Sequence, residues 1–201
     1  YVAGYTSSPN FPTRNPIQAA HRGGHALRMD AFAAKLNAAG NALVYSTYLG
    51  GVSDDLAMGI AVDASGSAYL TGATHSADFP VRNPLQPSLA GASDAFLARL
   101  DPAGTALSYS TFIGGESDDF GLAVALGPSG DAYVAGATGS ARFPTAGAAA
   151  APAGPGGGAA ALGFDGFVSR VAAGGGQLVY STYLGGSGID MGKLIAFMSG
   201  Q

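Results

Sequence analysis

Short runs of alternating apolar and polar positions recur along this chain. In DAFAAKL, Asp30 to Leu36, the residues Phe32, Ala34 and Leu36 alternate with Ala31, Ala33 and Lys35. That two-residue period predicts a half-buried strand. DAFLARL from Asp94 and DGFVSRV from Asp165 carry the same pattern, with Lys35, Arg99 and Arg170 at one equivalent position on the other face or at an edge. A second strand is predicted over Leu43 to Leu49, after a turn at Ala38 to Gly40 or, in the next copy, Asp101 to Gly104. A double glycine and a Ser-Asp-Asp turn lead to a third strand around Ile60 to Val62. The four-residue turn Asp63 to Gly66, with Asp first and Gly last, leads to a fourth, Tyr69 to Thr74.

The whole four-strand unit repeats. YSTYLGG (Tyr45 to Gly51) returns as YSTFIGG (Tyr109 to Gly115) and YSTYLGG (Tyr180 to Gly186), at the offsets of 64 and 71 residues that also separate Asp30, Asp94 and Asp165. GIAVDASGSAYLTGATHSADFP from Gly59 matches LAVALGPSGDAYVAGATGSARFP from Leu122, and the first residues, YVAGYTSSPNFPTRNPIQ, match the end of that unit. Tyr1 therefore corresponds to Tyr69 and Tyr133.

Four short antiparallel strands repeated in tandem predict an all-β chain, a β-propeller of four-stranded blades with about three blade-equivalents. A β-solenoid is the rival, but its rungs are shorter and lack an internal hairpin. The units divide as 1–29 (the fourth strand of a preceding blade plus a loop), 30–93 (a complete blade), 94–164 (a complete blade with a long Ala/Gly/Pro loop, 146–164) and 165–201 (strands one to three of a partial blade). Propellers close with about 4 to 8 blades, so three leave open edges. The expected explanation is a longer parent chain; two chains closing one six-bladed ring, or a partner covering the edges, are the alternatives. KLIAFMSGQ, Lys193 to Gln201, departs from the repeat, with Met198 where Asp63 would stand.

DAFxxKL, LxYSTYLGG, the Asp pair, GIAVDxSGxAYxTGxT and FP with NPLQ together resemble the bacterial SBBP family of β-propeller repeats, from Tyr1 to about Leu194. The resemblance implies a propeller and, typically, a large secreted or cell-surface bacterial protein. It carries no defined catalytic activity, and a shared fold does not by itself assign a function.

Composition narrows the classes. Charged residues are 11% of the chain, and the 33 glycines exceed the about 14 that average usage gives, as many short strands and tight turns require. A net charge of −4 with scattered Lys and Arg leaves no footprint for nucleic acid. The absence of cysteine removes disulfides, thiolate metal sites and Fe–S clusters. No run of 18 strongly apolar residues predicts a membrane span.

Asp54 and Asp55, Asp118 and Asp119, and Asp190 follow the double glycines Gly50/Gly51, Gly114/Gly115 and Gly185/Gly186. Paired carboxylates in a glycine-rich loop suit Ca²⁺; they also accept N–H groups of turns. Without DxDxDG spacing the turn role is the expected one, and no cofactor is expected beyond that Ca²⁺ alternative. Asp30, Asp94, Asp165, Tyr45, Tyr109 and Tyr180 are expected to be structural repeat positions, the tyrosines packing between blades. His21 and His25 have i, i+4 spacing, but the glycines between them argue for a loop rather than a zinc-binding helix, and His75 has no evident partner. There is no GxSxG nucleophile motif, Gly154 to Gly158 lie in low-complexity sequence, and Glu116 is the single Glu. The non-repeated loops, Ala19 to Met29, Pro87 to Ser93 and Ala146 to Phe164, are where a protein or glycan partner is expected.

The sequence thus points to a non-catalytic module of a bacterial extracellular or surface protein, binding protein or glycan or serving as a scaffold. One alternative is part of a propeller hydrolase or lyase whose site lies in other blades. Another is a structural subunit of a larger surface assembly, with further subunits or a second copy over the open edges.

Overall fold

The computed structural model describes residues 1–23, 29–147, 163–186 and 188–193. Among these there is no helix, and so none long and apolar enough to cross a membrane. Eleven strands run in chain order: β1 (Val2–Thr6), β2 (Asp30–Leu36), β3 (Leu43–Leu49), β4 (Asp55–Val62), β5 (Ala68–Thr74), β6 (Asp94–Leu100), β7 (Leu107–Ile113), β8 (Asp119–Leu126), β9 (Ala132–Thr138), β10 (Asp165–Val171) and β11 (Leu178–Leu184). They form three antiparallel sheets, β1-β2-β3, β4-β5-β6-β7 and β8-β9-β10-β11, here sheets 1, 2 and 3. The chain is all-β and has the arrangement of an open, partial propeller.

The sheets are half a unit out of phase with the divisions 30–93 and 94–164. β2 and β3 pair with β1, not with β4, and one complete sheet spans Asp55 to Ile113. A tandem repeat has no intrinsic starting point, so where one sheet ends depends on which turn closes a hairpin and which one crosses between sheets. The double-glycine turn is the crossing: it carries the chain from the outer strand of one sheet to the inner strand of the next.

The hairpin turns close locally. Gly40 N donates to Asn37 O at 3.0 Å, Gly104 N to Asp101 O at 2.9 Å and Gly175 N to Ala172 O at 2.8 Å. The long connection from β5 to β6 runs out to the far side of β7, where Arg82 pairs with Ser110 and Gln86 with Phe112. Arg14 and Gln18 pair with Ser46 and Tyr48 in the same way, and Ala146 with Ser181. This strip occupies edge groups that would otherwise recruit another strand. Asn15 and Asn83 turn it at φ of 47° and 46°, values that asparagine tolerates better than most residues.

Two apolar cores lie between the sheets. Tyr45 and Leu49 of sheet 1 meet Leu70, Phe96 and Leu100 of sheet 2. Tyr109 and Ile113 of sheet 2 meet Val134, Phe167 and Val171 of sheet 3. Each sheet of alternating side chains therefore has two buried faces wherever it has two neighbours.

Candidate functional site

The repeated polar residues converge on the double-glycine crossings. At the first, Asp30 opens β2 fully buried. Its Oδ2 accepts from Gln18 Nε2 at 2.8 Å and Arg22 N at 2.9 Å, and its Oδ1 from Gly23 N at 2.7 Å. Gln18 Oε1 in turn accepts Gly50 N at 3.0 Å. One amide thus joins the edge strip, the start of β2 and the crossing. Gln86 repeats this, donating to Asp94 Oδ2 at 2.6 Å and accepting Gly114 N at 3.0 Å.

Asp55 and Asp119 close the same turns from the other side. Asp55 Oδ2 accepts Gly51 N at 2.7 Å and Ser76 Oγ at 2.8 Å. Asp119 Oδ2 accepts Gly115 N at 2.7 Å and Ser140 Oγ at 2.9 Å. Their Oδ1 atoms are buried without a partner in good hydrogen-bond geometry. Burial pushes each carboxyl up to about 6, helped by the charge of Asp30 or Asp94, against hydrogen bonds from the Thr74 or Thr138 hydroxyl, the glycine amide and the serine. A β-carbon on Gly50 would stand 2.7 Å from Asp55 Oδ2 and 3.0 Å from Asp30 Cγ, so the two carboxyls enclose a glycine with no room for a side chain.

The other Asp candidates are also tied to backbone or neighbours. Asp54 Oδ1 accepts Met29 N at 3.0 Å, Asp118 Oδ1 accepts Ser93 Oγ at 2.9 Å, and Asp190 Oδ2 accepts Gly186 N at 2.8 Å. In the third copy burial, with Asp190 nearby, raises the Asp165 carboxyl. Amide and hydroxyl donors already hold these oxygens, and donors of that kind oppose a cation. Among the described residues no three His, Asp or Glu converge as a metal site would require.

The tyrosines form a second repeated cluster. Tyr45 and Tyr109 are buried, their rings edge-on to Tyr1 and Tyr69, and Tyr180 stands in the same relation to Tyr133. Lys35, Arg99 and Arg170 lie over the rings of Tyr1, Tyr69 and Tyr133 at 5.1, 5.1 and 5.6 Å. Arg99 pairs with Asp63 at 3.1 Å, and Arg170 Nε with Asp131 at 2.8 Å. Gly127 stands where Asp63 would in the later copy, so the carboxylate has moved four residues along the turn and still meets the guanidinium. Desolvation opposes ionisation of Asp63, but hydrogen bonds from Ser65 and Ser67 and the charge of Arg99 outweigh it and bring the carboxyl down to about 2.

A family model described as a beta-propeller repeat, SBBP, matches residues 44–80, which run from β3 through the crossing and β4 to β5 and the turn after it, ending before the edge strip. Residues 44–80 are thus similar to one SBBP repeat. No curated protein matches the chain. The matched SBBP segment contains one copy of Tyr45, Gly50, Gly51, Asp55 and Ser76, the residues that build one crossing.

Gln18, Gln86, Ser76 and Ser140 are anchors that the sequence reading does not single out. Their signal is present in the sequence, since Asn-Pro-x-Gln occurs twice and Thr-x-Ser three times at equivalent places. His21 is half-buried, with Nε2 3.2 Å from Thr6 O and 3.9 Å from Asp30 Oδ1, while His75 Nδ1 is 3.2 Å from Asp54 O. His25, the inner part of Ala19 to Met29, most of Ala146 to Phe164 and the divergent end from residue 194 lie outside the described residues. An apolar cleft of about 340 Å³ opens between sheets 2 and 3, lined by Leu85, Pro87, Phe112, Ile113, Pro144 and Leu178 together with Gln86. Pro87 begins the non-repeated loop Pro87 to Ser93, and Pro144 shortly precedes the Ala/Gly/Pro tract.

Proposed function

We propose that this chain is a non-catalytic propeller module of a bacterial secreted or cell-surface protein, acting in protein or glycan binding or as a scaffold through its non-repeated loops. The observation that carries the reading is the use made of the repeated polar groups. Asp30, Asp55, Asp94 and Asp119 accept from amides and hydroxyls of the chain's own turns, and the remaining Oδ1 of Asp55 and Asp119 is buried, so these groups brace the crossings instead of facing a substrate. Recognition then falls to what differs between copies, and the cleft beside Pro87 and Pro144 supports an apolar contact there.

The test is a panel of glycosidase, esterase and polysaccharide-lyase substrates run beside a glycan array and a peptide library. The expected outcome is no turnover, with any binding abolished when Pro87 to Ser93 is replaced by Gly and Ser. Turnover of any substrate would favour the hydrolase or lyase reading instead.

A further inference from the structure

The edge strip carries a side chain that the fold does not use. Arg14 exchanges both backbone hydrogen bonds with Ser46, at 2.9 and 2.8 Å, and Arg82 does the same with Ser110, at 3.0 and 2.8 Å. On sheet 3 the residue in this place is Ala146, and it exchanges the same pair with Ser181 at 3.1 and 2.8 Å. An alanine therefore builds the strip as well as an arginine does. Arg14 and Arg82 are both exposed, and among the described residues neither guanidinium meets a carboxylate, whereas Arg22, Arg99, Arg142 and Arg170 each pair with one.

The next residue repeats the pattern. Asn15 and Asn83 take φ of 47° and 46°, and Gly147 takes 58° in the third copy, so the turn requires a left-handed residue and not an amide. Each Asn Nδ2 reaches a carbonyl of the outer strand, Val44 O at 3.4 Å and Ser108 O at 3.5 Å. Among the described residues the Asn Oδ1 atoms accept nothing and stay available as acceptors. Charge along the chain is segregated around these positions. Of the 13 acidic residues none falls in 1–29 or 79–93, so in a chain of net charge −4 both strips are free of carboxylates.

We propose that Arg14 and Arg82 bind an anionic polysaccharide of the polyuronate type, laid along the outer rim from sheet 1 to sheet 2. Each guanidinium takes one carboxylate in a two-pronged contact, and the Asn Oδ1 beside it accepts a sugar hydroxyl. A uronate carries a carboxylate and hydroxyls on one ring and matches that pairing of cationic donor with neutral acceptor; an acidic peptide side chain offers the carboxylate alone. Blades radiate from a central channel, so the rim is convex. A linear polymer follows such a rim and meets both arginines, while a flat lipid surface meets one. Two backbone hydrogen bonds and a left-handed turn already fix the chain at each arginine, which reduces the ordering that binding costs.

The inference rests on the binding role proposed above and names its ligand class, with the charge contacts on the strip that leads into Pro87 to Ser93. Biolayer interferometry on immobilised polygalacturonate tests it, with the methyl ester as the neutral counterpart. The native chain is expected to bind the acid and not the ester, and to release it between about 20 and about 500 mM NaCl as screening sets in. Arg14→Ala and Arg82→Ala install the residue that sheet 3 already carries, so the thermal midpoint is expected to hold. Each is expected to weaken binding about tenfold, and the two together to abolish it, because two linked contacts become one and then none. Arg142→Ala, an exposed cation outside the strip, is expected to change nothing. A native chain that does not bind, equal binding of the ester, of polyglutamate or of phosphatidylglycerol vesicles, or binding that survives in the double variant would each overturn the proposal. Binding that survives there but is lost when Pro87 to Ser93 is replaced would leave the loop reading standing; the reverse result would uphold the strip and refute the loop.

Discussion

Gly104 lies against the ring of Tyr45, with its β-carbon position 2.2 Å from Cγ and its φ at +69°. The hairpin turn of one sheet thereby becomes the floor of the tyrosine of the sheet before it. Gly104→Ala introduces both a clash and a backbone strain and is expected to cost about 2–4 kcal/mol. Gly174→Ala, where a β-carbon meets nothing, is expected to stay within about 0.5 kcal/mol of the native chain. Urea unfolding of the two variants makes the comparison.

The buried carboxyls set a pH dependence. Asp55 and Asp119 sit near 6 in the folded chain against 3.8 when unfolded, so the folded state holds their protons more tightly. Their contribution to stability is complete below about pH 4, falls as pH rises towards 6, and levels off above it. Asp63 acts in the opposite sense, but only below its unfolded value of 3.8, outside this window. Denaturation midpoints from pH 4 to 7 are expected to decline in the native chain. The slope should flatten in the Asp55→Asn, Asp119→Asn double variant.

Gln86→Ala removes the amide that joins Asp94, Ser88 and Gly114. A buried carboxylate loses a donor and the Gly114 amide its acceptor, at an expected cost of about 2–3 kcal/mol. Gln86→Glu is expected to be worse at neutral pH, where it sets a second negative charge beside Asp94, and milder near pH 4. Thermal unfolding at the two pH values distinguishes the variants.

The two solutions for the guanidinium partner are interchangeable if geometry alone governs them. Asp63→Gly is expected to cost about 1 kcal/mol, since the pair with Arg99 is only partly buried. Adding Ser67→Asp recreates the Gly127 and Asp131 arrangement around Arg170 and should restore most of the loss. A double variant no more stable than the single one would show that the two turns are not equivalent.

Much of the fold was legible along the chain. The strands beginning at Asp30, Asp94 and Asp165 were visible because apolar alternation has the period of a strand, and the turns at Gly40, Gly66 and Gly104 because those glycines do take positive φ. The division into blades was not legible. Whether β3 continues to β4 through a hairpin or a crossing depends on which edges find partners in space, and the local sequence Gly-Gly-x-Ser-Asp-Asp suits either. The edge strip at Arg82 and Gln86 is not legible for the same reason, since two isolated bridges leave no periodic pattern.

Alone, the sequence determined the kind of element, the number of repeats and the identity of the recurring carboxylates, all of which follow from local periodicity and turn chemistry. Tertiary structure decided the phase of the sheets, the roles of Gln18 and Gln86, and which tyrosine receives which glycine. Those depend on contacts between residues tens of positions apart, such as Tyr45 and Gly104, that only packing brings together.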